Sequence, residues 1–306
     1  MLRSTIAIVG VAFATILTGA VAASAGELEC RELESRVLQQ AAVLEALQLN
    51  RFLFEAAEKG CTRLGETLMS RGANPRARRR EGESALHHAA RAGEEEFAAM
   101  LIAHGAKIEQ RDLQGSTPLF LAVERNRSKM VALLLESGAS PDVPGRSGVS
   151  PLAAAAFNGS DAIVDLLLRE GAGVNAEDVT GKTAIAYAAA RGFSGIVEQL
   201  LDAGVDINRR YGNDLTVLIW AAGYANDVTE AEGLETVDLL IARGARLNDA
   251  DNRGRTALMT AVEMGHAAVA ARLLEAGADP MLRDKNGKTA LDLAADDRVR
   301  AALVRP

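Results

Sequence analysis

The chain has 306 residues and a formal net charge of −7, and only 4% of its residues are aromatic. The acidic balance argues against general nucleic-acid binding, because phosphate backbones attract basic surfaces. A chain of this length would ordinarily form about two domains, but a repeat array would form one elongated unit instead.

Residues 1–25 have the pattern of a secretory signal peptide. Arg3 precedes an apolar stretch, and Ala23, Ser24 and Ala25 supply the small residues of a cleavage site. We predict cleavage after Ala25 and a periplasmic or secreted mature protein. The alternative is an uncleaved anchor, since the apolar run continues to Ala23. No other run is long enough to span a bilayer, so no stable membrane insertion is expected after cleavage.

Residues 26–47 are predicted to form an N-terminal capping helix. Their hydrophobic side chains, among them Leu33 and Val37, recur at helical spacing. The chain has two cysteines: Cys30 precedes the apolar positions of the capping helix, and Cys61 begins the second helix of the first repeat. In an oxidising compartment such a pair favours a disulfide, and the alternative is two unpaired thiols.

Residues 48–306 contain an internal repeat. A triplet of one hydroxyl, one small and one aliphatic residue recurs in steps of 33, apart from one step of 40. Its copies begin at Ser84, Thr117, Ser150, Thr183, Thr216, Thr256 and Thr289. A glycine followed by alanine or valine keeps the same steps, from Gly72 to Gly277. Two markers in phase over this distance indicate a stacked repeat architecture.

Each part of the unit has a physical role, well represented by Asp178–Asn208. Asp178 and Gly181 are turn residues, and Thr183 can cap a short alanine-rich inner helix that ends near Gly192. A second amphipathic helix follows. One such unit cannot bury its apolar face alone, so neighbouring units must stack.

These residues closely resemble the ankyrin repeat, including its Thr-Pro-Leu signature at Thr117, Pro118 and Leu119. The resemblance implies an all-α solenoid of helix–turn–helix units with extended, hairpin-like tips. We expect about seven repeats, the first of them degenerate, and a partial C-terminal capping repeat. The repeat that starts at Tyr211 carries seven extra residues within 223–235. This insertion is interpreted either as part of the binding face or as a tolerated surface loop.

The resemblance also implies where a partner would bind. The residue after the family's histidine slot faces the groove, and here it is Tyr187 in one repeat and Trp220 in the next. Phe157, Tyr224 and Tyr211 lie near them in the sequence. Tyrosine and tryptophan are favoured binding anchors, so these five aromatic residues are predicted as protein-binding residues. The alternative is that they pack between repeats.

Basic residues lie at or beside the predicted tips. They include Arg146, Lys182, Arg210 and Arg253, which we also assign to protein binding. A basic edge on an acidic chain could steer an acidic partner or a polyanion, and the alternative is a solvated rim.

The sequence carries little catalytic chemistry. Histidines are found at His87, His88, His104 and His266, and none has a second histidine or a cysteine at metal-ligand spacing. The resemblance implies structural roles for His87 and His266. We therefore expect a non-enzymatic, monomeric interaction scaffold with no cofactor or metal that binds another protein. It could stabilise or regulate a periplasmic enzyme; the alternatives are a secreted effector of a host protein and a polyanion binder.

Overall fold

The computed structural model describes residues 25–40, 45–295 and 297–304. The predicted signal peptide up to residue 24 lies outside these ranges, as do residues 41–44 near the end of the predicted capping helix. The described ranges contain helices α1 Ala25–Gln39, α2 Ala46–Lys59, α3 Thr62–Ser70, α4 Ala85–Ala92, α5 Glu95–Ala103, α6 Pro118–Glu124, α7 Ser128–Glu136, α8 Pro151–Asn158, α9 Asp161–Arg169, α10 Ala184–Ala190, α11 Ser194–Asp202, α12 Val217–Ala222, α13 Glu230–Ala242, α14 Ala257–Met264, α15 Ala267–Glu275, α16 Ala290–Leu293 and α17 Asp297–Val304.

From α2 onward the helices alternate between an inner and an outer layer. Each inner helix, such as α8, packs against the inner helices before and after it, and the outer helices pack in the same way. Alanine recurs on the buried faces of the inner helices and prevails in α8 and α10, which lets neighbouring helices approach closely. The predicted all-α solenoid is thereby confirmed. Between the helix pairs, the described segments form two isolated antiparallel bridges, Tyr211 with Leu215 and Ala250 with Thr256.

The helix boundaries have local causes. The hydroxyl of Thr117 accepts the backbone N–H of Phe120, and Pro118 occupies the first turn, where a missing N–H costs nothing. Inner helices α4 and α8 end at Gly93 and Gly159, both in the left-handed conformation that glycine adopts without strain.

In four tips, an aspartate at the same position of the repeat organises the turn. One carboxylate oxygen accepts the backbone N–H groups two and four residues later, which closes the turn before each inner helix. These aspartates are Asp112, Asp178, Asp251 and Asp284. Each turn also contains a glycine with positive φ, such as Gly181.

The N-terminal helix α1 covers the first repeat. Its Leu33 and Val37 are buried, and Arg36 pairs with Glu55 of α2 at 2.9 Å. A disulfide joins Cys30 of α1 to Cys61, at the residue that precedes α3. The capping helix is therefore tied to the first repeat by packing, charge and a covalent bond. Helix α1 ends at Gln39 and α2 begins at Ala46, so residues 46–47, which were predicted as the end of the capping helix, belong to α2.

The insertion is partly helical. Helix α13 has 13 residues, whereas its counterpart α11 in the preceding repeat has 9. The added turn begins at Thr229, which forms a capping box with Glu232. The extra residues therefore form a short connection and a one-turn extension of the outer helix. None of the helices in the described ranges is long and apolar enough to cross a membrane.

Candidate protein-binding groove

The groove is lined by the tips and inner helices of consecutive repeats. We call the residue that follows the histidine slot the groove position of each repeat. In chain order it is occupied by His88, Leu121, Ala154, Tyr187, Trp220 and Thr260. A depression of about 470 Å³ lies over the repeats at Leu121 and Ala154, with Phe157 and Tyr187 among its lining residues. We call it the Ala154 recess.

Phe157 is the most exposed of the predicted aromatic residues. Its ring is 45% exposed and meets Tyr187 edge to face, with 5.7 Å between the ring centroids. The Arg191 guanidinium lies 5.1 Å from the centre of the Phe157 ring. Such a large apolar surface, held in place on a helix, is suited to contact with a partner.

Tyr187 and Trp220 are half-buried and share one cation. The Nζ atom of Lys182 lies 5.7 Å from the centre of the Tyr187 ring and 5.5 Å from that of Trp220. An ammonium over two aromatic faces is attracted by both rings. The indole Nε1 of Trp220 is buried without a hydrogen-bond partner among the described residues. Trp220 thus contributes packing as well as surface.

The Tyr187 hydroxyl is fixed by the tip of its own repeat, because it donates a hydrogen bond to Asp178. Burial, this hydrogen bond and the negative charge of Asp178 together raise the pKa of the Tyr187 phenol. Burial alone would raise the pKa of Asp178, but hydrogen bonds from Tyr187, Thr180 and Lys182 hold it below its usual value. Tip and groove position are therefore one hydrogen-bonded unit in this repeat.

Tyr211 and Tyr224 were expected on the binding face, but the structure places both in the core. Each is only 5% exposed. Tyr211 occupies the place of the turn aspartate, and burial raises the pKa of its phenol. Tyr224 stacks on His266 of the next repeat, with 3.6 Å between the ring centroids, and packs against Gly233. Neither ring can serve as a surface anchor, so for these two residues packing between repeats is the correct interpretation.

The insertion is held by contacts to the repeats on both sides. Asp227 pairs with Arg191 of the preceding repeat at 2.6 Å, and the Ala225 amide donates to the Ala190 carbonyl. On the other side His266 stacks on Tyr224 of the insertion and donates from Nδ1 to the carbonyl of Ala222, the last residue of α12. These contacts favour a structural bridge over a free loop.

Most of the predicted basic residues are engaged with their own chain. Arg146 pairs with Glu124 at 2.8 Å, and Arg253 with Asp251 at 2.9 Å. Arg210 donates to the Ala250 carbonyl at 2.7 Å. Arg78 and Arg111 likewise each donate to a backbone carbonyl in the following repeat. The tip arginines connect neighbouring repeats, and this leaves less free charge for a polyanion than the sequence indicates.

His87, His104 and His266 form hydrogen bonds within the fold, whereas the ring nitrogens of the buried His88 have no hydrogen-bond partner among the described residues. His87 donates from Nε2 to the Ser116 carbonyl at 3.2 Å, and its Nδ1 accepts the Ser84 amide at 3.1 Å. Burial lowers the pKa of His87, which keeps the ring neutral. Among the described residues, no cluster of three histidine, cysteine or acidic side chains is placed to hold a metal ion.

The Ala154 recess was not predicted from the sequence. Its floor is formed by Ala153 and Ala154, and Leu121, Val149 and Phe157 are among its apolar walls. The sequence does contain an indication of this recess, since the inner helix of this repeat has four consecutive alanines, Ala153–Ala156. Comparison of the groove positions along the repeats would have shown that Ala154 is the smallest residue there.

Comparisons with known proteins agree with this architecture. A three-copy ankyrin-repeat family model matches residues 53–145 and 142–211, and a second ankyrin-repeat model matches residues 240–294. A putative ankyrin repeat-containing protein of Treponema pallidum (strain Nichols) is 39% identical over 94 residues. That match covers 26% of this chain and 32% of the relative, so the chain spans about a third of that protein.

Among solved structures, the crystal structure of the human ASB11 ankyrin repeat domain is similar, with a TM-score of 0.65 and 29% identity. The likeness covers 72% of this chain and 97% of that domain. Repeat phase, helix order and these matches confirm the resemblance seen in the sequence. The chain belongs to the ankyrin-repeat family.

Proposed function

We propose that this protein is an exported, non-enzymatic and monomeric scaffold that binds another protein through its groove. One observation carries the proposal: Phe157, Tyr187 and Trp220 present aromatic surface on three successive inner helices, and Lys182 lies over the last two rings. Aromatic residues on a rigid support lose little entropy on binding and often dominate interface energies. Membership of the ankyrin-repeat family supports an interaction role.

Export to the periplasm is supported by two features at the N-terminus. The signal-like pattern of residues 1–25 is one, and the Cys30–Cys61 disulfide is the other, since disulfides persist in oxidising compartments. A periplasmic enzyme that is stabilised or regulated by the scaffold is the partner we propose. The test is cell fractionation followed by mass spectrometry of unreduced, alkylated protein. A mature chain beginning after Ala25 with bonded cysteines is expected, whereas a cytoplasmic chain with two free thiols would contradict export.

The binding surface can be tested by affinity capture from a periplasmic extract with the mature chain. Phe157→Ala and Tyr187→Ala are expected to lose the captured partner. Met264→Ala is a matched control, because Met264 is an apolar inner-helix residue of similar exposure, 46%, in a different repeat. Capture that survives both groove substitutions would place the binding surface elsewhere. Fractionation also separates the periplasmic role from that of an effector released to the medium.

A further inference from the structure

The Ala154 recess exists because one repeat has a short side chain at the groove position. The equivalent residues on either side are Leu121 and Tyr187, and both line the recess. Ala154 is 7% exposed and Ala153 is buried, so the inner helix forms a floor without projecting side chains. A gap of this size in a row of large side chains is a place where a partner side chain can be buried.

The chemistry of the recess is apolar at the centre. Leu121, Val149 and Phe157 provide aliphatic and aromatic walls around the alanine floor. A volume of about 470 Å³ falls within the range of roughly 300–1,000 Å³ that is usual for ligand pockets. The recess can therefore accommodate a large aliphatic or aromatic side chain together with part of its backbone.

The acidic and basic side chains around the recess differ in whether they already have partners within the chain. Its acidic residues are engaged within the chain: Glu83 pairs with Arg91, Glu124 pairs with Arg146, and Asp112 accepts the amides of its own turn.

Two cations near the recess have no carboxylate partner among the described residues. Arg125 is exposed and lines the recess. Lys182 lies beside the recess and does not line it: its Nζ atom is 5.7 Å from the centre of the ring of Tyr187, which is a lining residue. The free charge at this place is therefore positive, although the whole chain is acidic. A partner segment that approaches the recess gains from a carboxylate beside its apolar side chain.

We propose that the groove recognises an acidic peptide segment that inserts one large apolar side chain into the Ala154 recess and places a carboxylate against Lys182. This inference rests on the proposed binding function and specifies the partner of that same groove. The apolar contact supplies most of the affinity, and the carboxylate fixes the register of the segment, because exposed charge pairs contribute less than buried apolar contacts.

The experiment is selection from a display library of random twelve-residue peptides on the full mature chain. Enriched peptides are expected to share a leucine, methionine or aromatic residue close to an aspartate or glutamate. Their affinity for the protein is then measured with labelled synthetic peptides at low and high salt. Replacing the acidic residue of a peptide by its amide should weaken binding and reduce its dependence on salt.

Two substitutions test the two contacts separately, and each has a control at the same repeat position. Ala154→Leu fills the recess and should weaken peptide binding at least about tenfold, whereas Thr260→Leu, at the groove position of a distant repeat, should not. Lys182→Gln should weaken binding about three- to tenfold, whereas Lys288→Gln should not. Lys288 is a matched control because it also lies between a turn glycine and the threonine that precedes an inner helix. Circular dichroism checks that each variant is folded.

The outcomes separate this inference from the function on which it rests. Peptides that bind wild type and Ala154→Leu equally, but are lost in Phe157→Ala, would overturn the inference and leave groove binding intact. Enriched peptides that are basic would also overturn it. A selection that yields no peptide dependent on any groove residue would overturn both. If Ala154→Leu does not fold, the Lys182 pair and the acidic-to-amide peptides decide the outcome.

Discussion

The repeats that begin at Asp178 and at Tyr211 are adjacent, but only the first keeps the regular repeat pattern. The Asp178 repeat keeps the turn aspartate and the turn glycine, and its aromatic residue Tyr187 is tied to its own tip. The Tyr211 repeat has lost both turn residues and carries the insertion. Yet both repeats present an aromatic ring at the groove position, beneath the same Lys182.

The difference shows how this solenoid accommodates a repeat that departs from the repeat pattern. In the Tyr211 repeat the departures are mostly buried: Tyr211 fills the tip, and Tyr224 fills the space between α13 and the next repeat. The inner helix still presents its residue at the same groove position. Changes that affect the stability of the array and changes that alter its surface are thus located at different positions of the repeat.

The largest expected effect comes from removing the ring that anchors the insertion. Tyr224→Ala should lower the free energy of unfolding by about 3–5 kcal/mol, because it empties the space between Gly233 and His266. Tyr187→Ala is the matched control in the regular repeat and should cost less, since that ring is half-buried. Urea unfolding measures both. Equal losses would mean that the insertion is not anchored by Tyr224.

A smaller effect on stability and a clear effect on binding are expected for Trp220→Ala. The variant should weaken partner capture by about 2 kcal/mol in binding free energy while its helical content, measured by circular dichroism, stays close to that of wild type. Loss of the fold would instead show that Trp220 acts mainly as core. The comparison with Tyr187→Ala indicates which of the two aromatic residues contributes more to the shared surface.

The turn aspartate of the regular repeat should contribute to the acid sensitivity of the protein. The pKa of Asp178 is held below its unfolded value, so its contribution to stability is present above about pH 4 and is lost as the pH falls through the folded pKa. Asp178→Asn should therefore show a smaller drop in melting temperature than wild type between about pH 5 and pH 3. Equal drops in wild type and Asp178→Asn would contradict this assignment.

The smallest effect on the free energy of unfolding is expected at the repeat position of the turn glycine. Asp214 stands at the place of Gly181 and has φ 61°, a left-handed conformation that costs less for glycine. Asp214→Gly should raise the free energy of unfolding by about 0.5 kcal/mol. The reciprocal Gly181→Asp should lower it by about 1–2 kcal/mol, also because a new Cβ would lie 3.1 Å from the Cα of Gly212. Thermal unfolding of both variants tests the pair, and changes of the same sign would contradict the argument.

The fold was predictable because the residues that define the repeat lie close together in the sequence. Turn aspartates and glycines, capping hydroxyls and the regular steps between them act within one unit, so they can be recognised without knowledge of its neighbours. The position of the insertion was predictable for the same reason. The added turn of α13 was harder to foresee, since it depends on the capping box that Thr229 forms with Glu232.

The candidate site was only partly predictable because exposure depends on the neighbouring repeats. Tyr187 and Trp220 share a position in the repeat, and the repeat pattern alone predicts that both lie along the groove. Tyr211 and Tyr224 lie where the pattern is broken, and their burial follows from contacts such as the His266 stack. The Ala154 recess is likewise a difference in side-chain size between adjacent repeats, which no single repeat reveals.

The disulfide between Cys30 and Cys61 makes one side of the array harder to unfold than the other. In a linear stack each unit contacts only its neighbours, so unfolding starts most readily at an end. The N-terminal end is closed covalently, whereas α17 is held without a covalent link, in part by the Arg298–Glu230 pair at 3.2 Å. We therefore expect the oxidised protein to unfold more readily at α16 and α17 than at α1–α3, so that limited proteolysis cuts first at α16 and α17, and reduction makes α1 easier to release as well.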